Sequence, residues 1–180
     1  APSTPYEAKG LLNASIRDNN PVIFLEHKGL YNVKGEVPQD YYELPLYQAE
    51  IKRKGTDVTV VATMMMTDLA LKAADQLEKE GISVEVIDPR TLFPLDRETI
   101  IQSVGRTGRL VVVQEGPQFM GFGAELGAMA ASEELFEYLK APIKRITSED
   151  VPTAYAPCME DFIMPNLDKV LRGIRSTVEY

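Results

Sequence analysis

The sequence predicts an α/β fold: a mainly parallel sheet with helices on both faces. Three observations point there. Short apolar runs at residues 58–62, 84–87, 110–113 and 143–146 have the β-branched make-up of strands buried on both sides. Stretches of helical period lie between them, and strands alternating with helices close into parallel sheets. The stretch 105–126 combines a Gly-marked turn, the strand Leu-Val-Val-Val, the polar tip Gln114-Glu115-Gly116-Pro117, a glycine loop and the start of a helix. In such sheets, loops after the carboxyl ends of strands are where ligands and partners meet the fold.

Taken in order, Thr4-Pro5 opens a helix, with Pro in its first turn. Ala8, Leu11, Leu12, Ser15 and Ile16 recur at helical spacing, and Asn19-Asn20-Pro21 stops it. Residues 22–25 (Val-Ile-Phe-Leu) read as a short buried strand. One helix and one strand cannot bury their apolar faces alone, so this piece needs a sheet to join, expected upstream of Ala1. Residues 28–56 lack periodicity and carry Gly29, Gly35, Pro38, Pro45 and Gly55; they read as an extended connector at a domain boundary, with an edge strand at 49–52.

After strand 58–62, Thr67 is the expected cap of a helix over 68–79, with Leu69, Ala70, Ala73, Ala74 and Leu77 inward and Gly81 at its end. Asp88-Pro89-Arg90-Thr91 forms the tip of strand 84–87, and Asp96 caps the next helix after Pro94. A helix over 123–139 would place Ala124, Ala128, Ala131, Leu135 and Leu139 on one stripe before Pro142 breaks it. Residues 167–178 read as a closing helix.

A net charge of −8 disfavours binding to a phosphate backbone, and no basic stripe with interleaved aromatics is present. No apolar run reaches the roughly 20 residues of a membrane span. The single cysteine, Cys158, excludes an intrachain disulfide and fits a reducing compartment. No signal or transit peptide is read at Ala1, and the missing initiator Met suggests processing or a boundary.

The catalytic inventory is thin. His27, the only histidine, reads as structural, with a proton shuttle as the alternative, and Cys158 as a packed thiol rather than a nucleophile, since no base is visible beside it. No His or Cys cluster has metal-ligand spacing. Gly121 and Gly123 fall short of a dinucleotide fingerprint because Leu126 stands at the third glycine; they read as a tight turn into a helix, with a small-anion or coenzyme site at the helix start as the alternative. Met64-Met65-Met66 reads as packing or interface material, and Asp88 and Glu115 as turn caps at strand tips.

Several motifs together resemble the β-subunits of the thiamine-diphosphate-dependent 2-oxo acid dehydrogenases. They are Pro-Ser-Thr-Pro-Tyr-Glu-Ala-Lys-Gly-Leu-Leu from Pro2, Ile-Arg-Asp-Asn-Asn-Pro-Val-Ile-Phe-Leu-Glu-His-Lys from Ile16, and Gly-Ile-Ser-Val-Glu-Val-Ile-Asp-Pro-Arg-Thr-Leu-Phe-Pro-Leu-Asp from Gly81. Thr107-Gly-Arg-Leu-Val-Val-Val, Gly121-Phe-Gly-Ala-Glu-Leu and Ala141-Pro-Ile-Lys-Arg-Ile complete the set, which covers essentially the whole chain in order.

The resemblance implies that residues 1–48 are the end of a pyrimidine-binding domain plus a linker. Residues 49–180 would be a transketolase-type C-terminal domain with a mostly parallel five-stranded sheet and one antiparallel edge strand. That domain serves subunit assembly and docking to the lipoyl acyltransferase core. The catalytic glutamate and histidine of the family lie upstream of the segment matching Ala1, and the α-subunit holds the diphosphate and its divalent metal. No catalytic or cofactor-binding residue is therefore carried onto this chain, and thiamine diphosphate is not expected to be bound by it alone. A structural monovalent cation is implied at Ser15, Asp18 and Asn20, with further ligands elsewhere. For docking, the family's acidic residue before the Ala-Pro step is Lys140 here, with Glu137 and the Tyr180 carboxylate as compensating groups. Met120 replaces a usual glycine and Gln114 a frequent histidine. The implied partners are an α-subunit, a second β-subunit and the acyltransferase core; the implied location is the bacterial cytoplasm, or the mitochondrial matrix or plastid of a eukaryote. The implied activity is oxidative decarboxylation of pyruvate or a close relative, with acetoin cleavage or a non-catalytic binding module as alternatives.

Overall fold

In the computed structural model, which describes residues 1–132 and 135–180, five strands form one sheet in the order β1-β3-β2-β4-β5. β2 (Val58–Ala62), β3 (Val84–Asp88), β4 (Leu110–Pro117) and β5 (Lys144–Ser148) run parallel. β1 (Glu50–Arg53) pairs antiparallel with β3 at the edge, with a bulge between Ile51 and Arg53. This is the expected five-stranded, mostly parallel sheet with one antiparallel edge strand.

Alternation along the strands sends side chains to two cores. Val58, Val60, Val86, Val111 and Val113 pack under α2 (Met65–Glu78) and the last helix, Leu167–Val178. Val61, Ile87, Leu110 and Val112 pack under α3 (Arg97–Thr107) and α4 (Phe122–Ala130). β2, in the middle, is buried along its whole length, which explains a run with no polar face.

α1 (Pro5–Arg17) is closed at its start by a capping box: Thr4 accepts from the Glu7 N–H while the Glu7 side chain reaches back to the cap. The connector after it is irregular and wraps this helix. Lys9 Nζ donates to the Asp40 carbonyl (2.9 Å), Leu44 N donates to the Gly10 carbonyl (3.1 Å), and the Tyr6 and Tyr42 rings stack 4.8 Å apart. A Cβ at Gly10 would sit 2.6 Å from Leu44 Cγ, so the crossing needs glycine there.

Four expectations are corrected. Residues 22–25 are extended but form no strand; Val22, Ile23 and Leu25 are exposed, because no sheet edge lies beside them. α2 starts two residues before Thr67, which instead sits inside the helix and donates to the Ala62 carbonyl (3.0 Å). α4 ends at Ala130, and a separate 3-10 turn, Phe136–Tyr138, follows; Glu133 and Glu134 of the expected longer helix lie outside the described residues. At the α4 end Ser132 Oγ donates to the Met129 carbonyl (2.6 Å), competing with continuation of the helix. A short helix, α5 (Pro157–Ile163), was not foreseen, because none of its residues is buried. The closing helix, α6, has the expected bounds.

Candidate interface at the carboxyl edge of the sheet

The parallel strands end at Ala62, Asp88, Pro117 and Ser148, and β1 starts on the same side with Glu50 opposite Asp88. Two pieces of the N-terminal segment cover this edge. In the first, Ser3 Oγ donates to the Asp88 carboxylate and lies 3.2 Å from Thr67 Oγ1. Glu7, 1% exposed, accepts from the N–H groups of Ser3 (2.9 Å) and Thr4 (3.1 Å) and from Lys52 Nζ (2.6 Å), which also bonds Glu50 at 2.6 Å. Asp88 also accepts from the Arg90 N–H (2.9 Å), so the expected turn cap is present. Arg90 itself has φ 55° and donates through its guanidinium to the Gln48 carbonyl (3.0 and 2.8 Å).

Burial, and then the charge of Glu7, push the Asp88 carboxyl up to about 6. Burial alone would lower Lys52, but its bonds to Glu50 and Glu7 outweigh that and hold the ammonium above its usual value.

In the second piece, His27 Nε2 donates to the Glu115 carboxylate at the tip of β4, while Nδ1 accepts from the Gly29 N–H (3.0 Å). An accepting Nδ1 assigns the proton to Nε2. The structural reading of His27 thus gains a specific partner, and Gly29 settles beside Met65 of α2. Next to His27, the tips of β4 and β5 and helix α5 enclose a cleft of about 480 Å³.

The glycine loop is explained by Gln114. Its Nε2 donates to the Pro117 carbonyl (2.7 Å) and the Gly116 carbonyl (3.2 Å), and its Oε1 accepts from the Gly123 N–H. A Cβ on Gly121 would collide with Gln114 Nε2 and Pro117 O, and one on Gly123 would sit 2.9 Å from Oε1. The glycines make room for a buried amide. Two N–H groups at the start of α4 are already taken, Gly123 by Gln114 and Ala124 by the Gly121 carbonyl (2.8 Å).

Of the residues expected at a cation site, Asp18 and Asn20 bond each other just past the end of α1, and Ser15 lies on the last turn of that helix. Ser15 Oγ donates back to the Leu11 carbonyl (2.7 Å). Asp18 accepts from the Asn20 N–H (2.8 Å), Asn20 Nδ2 (3.0 Å) and Tyr47 Oη (3.0 Å), bonds that hold its carboxyl below the usual value, the Asn20 N–H foremost. Among the described residues no group of three or more His, Cys, Asp or Glu is arranged to hold a metal ion. No helix among them is long and apolar enough to cross a membrane.

The residues expected in docking lie at the opposite, amino edge. Glu137 is exposed on the Phe136–Tyr138 turn. Lys140 donates its N–H to the Gly108 carbonyl (2.7 Å) and lays its stem over Gly108. The next residue, Arg109, donates to the carbonyls of Thr177 (3.1 Å) and Val178 (3.2 Å), close to Tyr180. This corner joins Lys140 to the end of α6. Sequence reading missed Arg109, because its partners lie far along the chain and leave no local signal. Cys158, expected to be packed, is exposed in the first turn of α5.

The family model described as "Transketolase, C-terminal domain" matches residues 47–170. The chain is 46% identical over 99% of its length to a Bacillus subtilis 2-oxoisovalerate dehydrogenase subunit beta, covering 55% of that protein. It is 47% identical over 94% of its length to the B. subtilis acetoin:2,6-dichlorophenolindophenol oxidoreductase subunit beta, covering 49% of it. It is 44% identical over 99% of its length to the B. subtilis pyruvate dehydrogenase E1 component subunit beta, covering 55% of it. The chain thus spans about half the length of these curated relatives. Among solved structures, a split-gene transketolase described as an inactive beta4 tetramer superposes with a TM-score of 0.64 at 30% identity, over 76% of this chain and 44% of that one. With this sheet order, this antiparallel edge strand and a family match over most of its length, the chain belongs to the transketolase C-terminal domain family.

Proposed function

We propose that this chain is the C-terminal part of the β-subunit of a thiamine-diphosphate-dependent 2-oxo acid dehydrogenase, acting on pyruvate or a close relative and passing the acyl unit to lipoamide. Its own work is assembly. The observation that carries this reading is the use of the carboxyl edge. Where an open α/β sheet takes a ligand, this one takes its own N-terminal segment, through Ser3 and Glu7 on Asp88 and Lys52, and His27 on Glu115. Residues 1–48 would then be the end of a pyrimidine-binding domain with its linker, and 49–180 the C-terminal domain. Thiamine diphosphate supplies the carbanion chemistry when bound to the whole enzyme. The residues described here do not fit as its seat: the acids at the strand tips are engaged with Ser3, Lys52 and His27.

The partners in this reading are an α-type subunit, a second β-type subunit and a lipoyl acyltransferase core meeting the edge at Glu137, Lys140 and Tyr180. The compartment is a reducing one, cytoplasmic in a bacterium or the mitochondrial matrix or plastid in a eukaryote, which suits an exposed, unpaired Cys158. A monovalent cation at the end of α1 would be held by main-chain carbonyls, since Asp18 already has three donors. A second reading is acetoin cleavage, since an acetoin oxidoreductase subunit beta is among the relatives at 47% identity. Relatives of three substrate names match about equally well, so the comparisons favour no one substrate.

Reconstitution tests the proposal. Full-length β-type polypeptide with its α-type subunit, thiamine diphosphate and Mg²⁺ should decarboxylate 2-oxo acids, and this chain substituted for the β-type polypeptide should not. Turnover by this chain without an α-type subunit would refute the reading. Tight binding to a basic partner with no need of an α-type subunit would favour the plain binding module instead.

A further inference from the structure

The tie between Ser3 and Asp88 belongs to a longer chain of oxygens. Asp88 Oδ2 meets Ser3 Oγ, Ser3 Oγ lies 3.2 Å from Thr67 Oγ1 on α2, and Thr67 Oγ1 lies 3.0 Å from the Ala62 carbonyl. Asp88, Ser3 and Thr67 are 0%, 7% and 1% exposed. Three successive oxygen contacts need three protons. The two hydroxyls supply two and the carbonyl supplies none. The third has one source in this chain of oxygens, the Asp88 carboxyl.

With Asp88 neutral, every link is made. Its O–H donates to Ser3, Ser3 donates to Thr67, and Thr67 donates to the Ala62 carbonyl, while Asp88 Oδ1 keeps the Arg90 N–H (2.9 Å). With Asp88 ionised, Ser3 turns its one proton to the carboxylate. Thr67 then either faces Ser3 oxygen to oxygen or gives up the Ala62 carbonyl. Both arrangements lose one buried link.

The surrounding charges act in the same direction. Glu7 on α1, 1% exposed, is the acid facing Asp88. Lys52 on β1 is shared between Glu7 and Glu50 (2.6 Å each). The Arg90 guanidinium is turned to the Gln48 carbonyl and lies 3.7 Å from Glu50, and the Ala1 amino group donates to the Arg90 carbonyl (2.9 Å). Each cation is thus committed to another group, and ionising Asp88 adds a second buried negative charge beside Glu7.

We infer that protonated Asp88 drives a hydrogen-bond relay through Ser3 and Thr67 to the Ala62 carbonyl, and that this relay is a pH-sensitive latch fastening residues 1–17 to the tips of β2 and β3, closed in acid and loosened as pH rises. The latch belongs to the chain itself and does not depend on the proposed function.

The test uses the whole chain. The Ser3 and Thr4 N–H groups bond Glu7 when the segment is seated (2.9 and 3.1 Å), so their hydrogen exchange reports its release. After correction for the intrinsic pH dependence of exchange, their protection should fall roughly tenfold from pH 5 to pH 7, the share of a shift of about two pKa units that lies in that window. Asp88→Asn, whose amide N–H donates to Ser3 at every pH, should abolish the fall. The ¹³C signal of the Asp88 carboxyl, identified by its loss in that variant, gives the titration midpoint. Thr67→Val takes away the second acceptor, so ionised Asp88 costs no link, and the midpoint should drop by about one pH unit, one hydrogen bond's worth. Burial alone would leave that midpoint in place or raise it. A midpoint unmoved or raised in Thr67→Val would overturn the relay. Asp88 ionised throughout pH 5 to 7, or a fall in protection that survives in Asp88→Asn, would overturn the latch. None of these results touches the proposed function.

Discussion

At the scale of single residues, two groups carry measurable consequences. Gln114 is held against Gly121 and Gly123 with no room for a Cβ. Gly121→Ala should therefore destabilise the chain by about 2 kcal/mol, in the range for overpacking a tight site, read from urea unfolding; an unchanged midpoint would contradict the packing described. Asp88 keeps its proton up to about pH 6 when folded, against an ordinary value of 3.8. Between those values the folded state holds more protons than the unfolded one, so this group's contribution to stability falls as pH rises from about 4 to about 6 and is level above. The full effect is on the order of 3 kcal/mol, from about two pKa units at 1.36 kcal/mol each. The charges facing Asp88 are Glu7 on α1, Lys52 on β1 and the Ala1 amino group. Asp88→Asn should remove this slope, so the stability difference between variant and parent should shift in the variant's favour from pH 4 to pH 7. A constant difference across that range would show that burial does not raise Asp88. Neither feature was legible beforehand: the glycines read as a turn and Asp88 as a cap, because the partners that matter, Gln114 and Ser3, meet them only in three dimensions.

At the scale of elements, legibility follows burial. β2 to β5 and α6 were readable because each has a face or a whole run committed to one core. Residues 22–25 misled because their composition is that of a buried strand while the sheet they suit is not beside them. α5 gave no signal because it buries nothing here. α3 was read from its cap alone, and the structure shows why the cap matters. Asp96 accepts from Thr99 N (3.1 Å) and Thr99 Oγ1 (2.7 Å) and also from Ala49 N (2.9 Å), tying the start of α3 to the approach of β1. Asp96→Ala should cost about 1–2 kcal/mol, the upper range for a helix cap, with amide exchange quickened at both Thr99 and Ala49. Quickening at Thr99 alone would mean that the tie to β1 is not a real constraint.

At the scale of the whole molecule, the sheet separates two surfaces. The amino edge presents Glu137, Lys140 and the end of α6, joined by Arg109. The carboxyl edge is covered by the chain's own N-terminal segment through buried carboxylates and His27. In the proposed function this domain is a scaffold whose strand tips bind polypeptide, and the cofactor is held by protein outside the chain. The most direct measurement is calorimetric titration of this chain with thiamine diphosphate and Mg²⁺, followed by the same titration of the full-length β-type polypeptide together with its α-type subunit. The account predicts no saturable heat from the chain and one cofactor per catalytic site in the assembled enzyme. Stoichiometric binding to the chain by itself would contradict it.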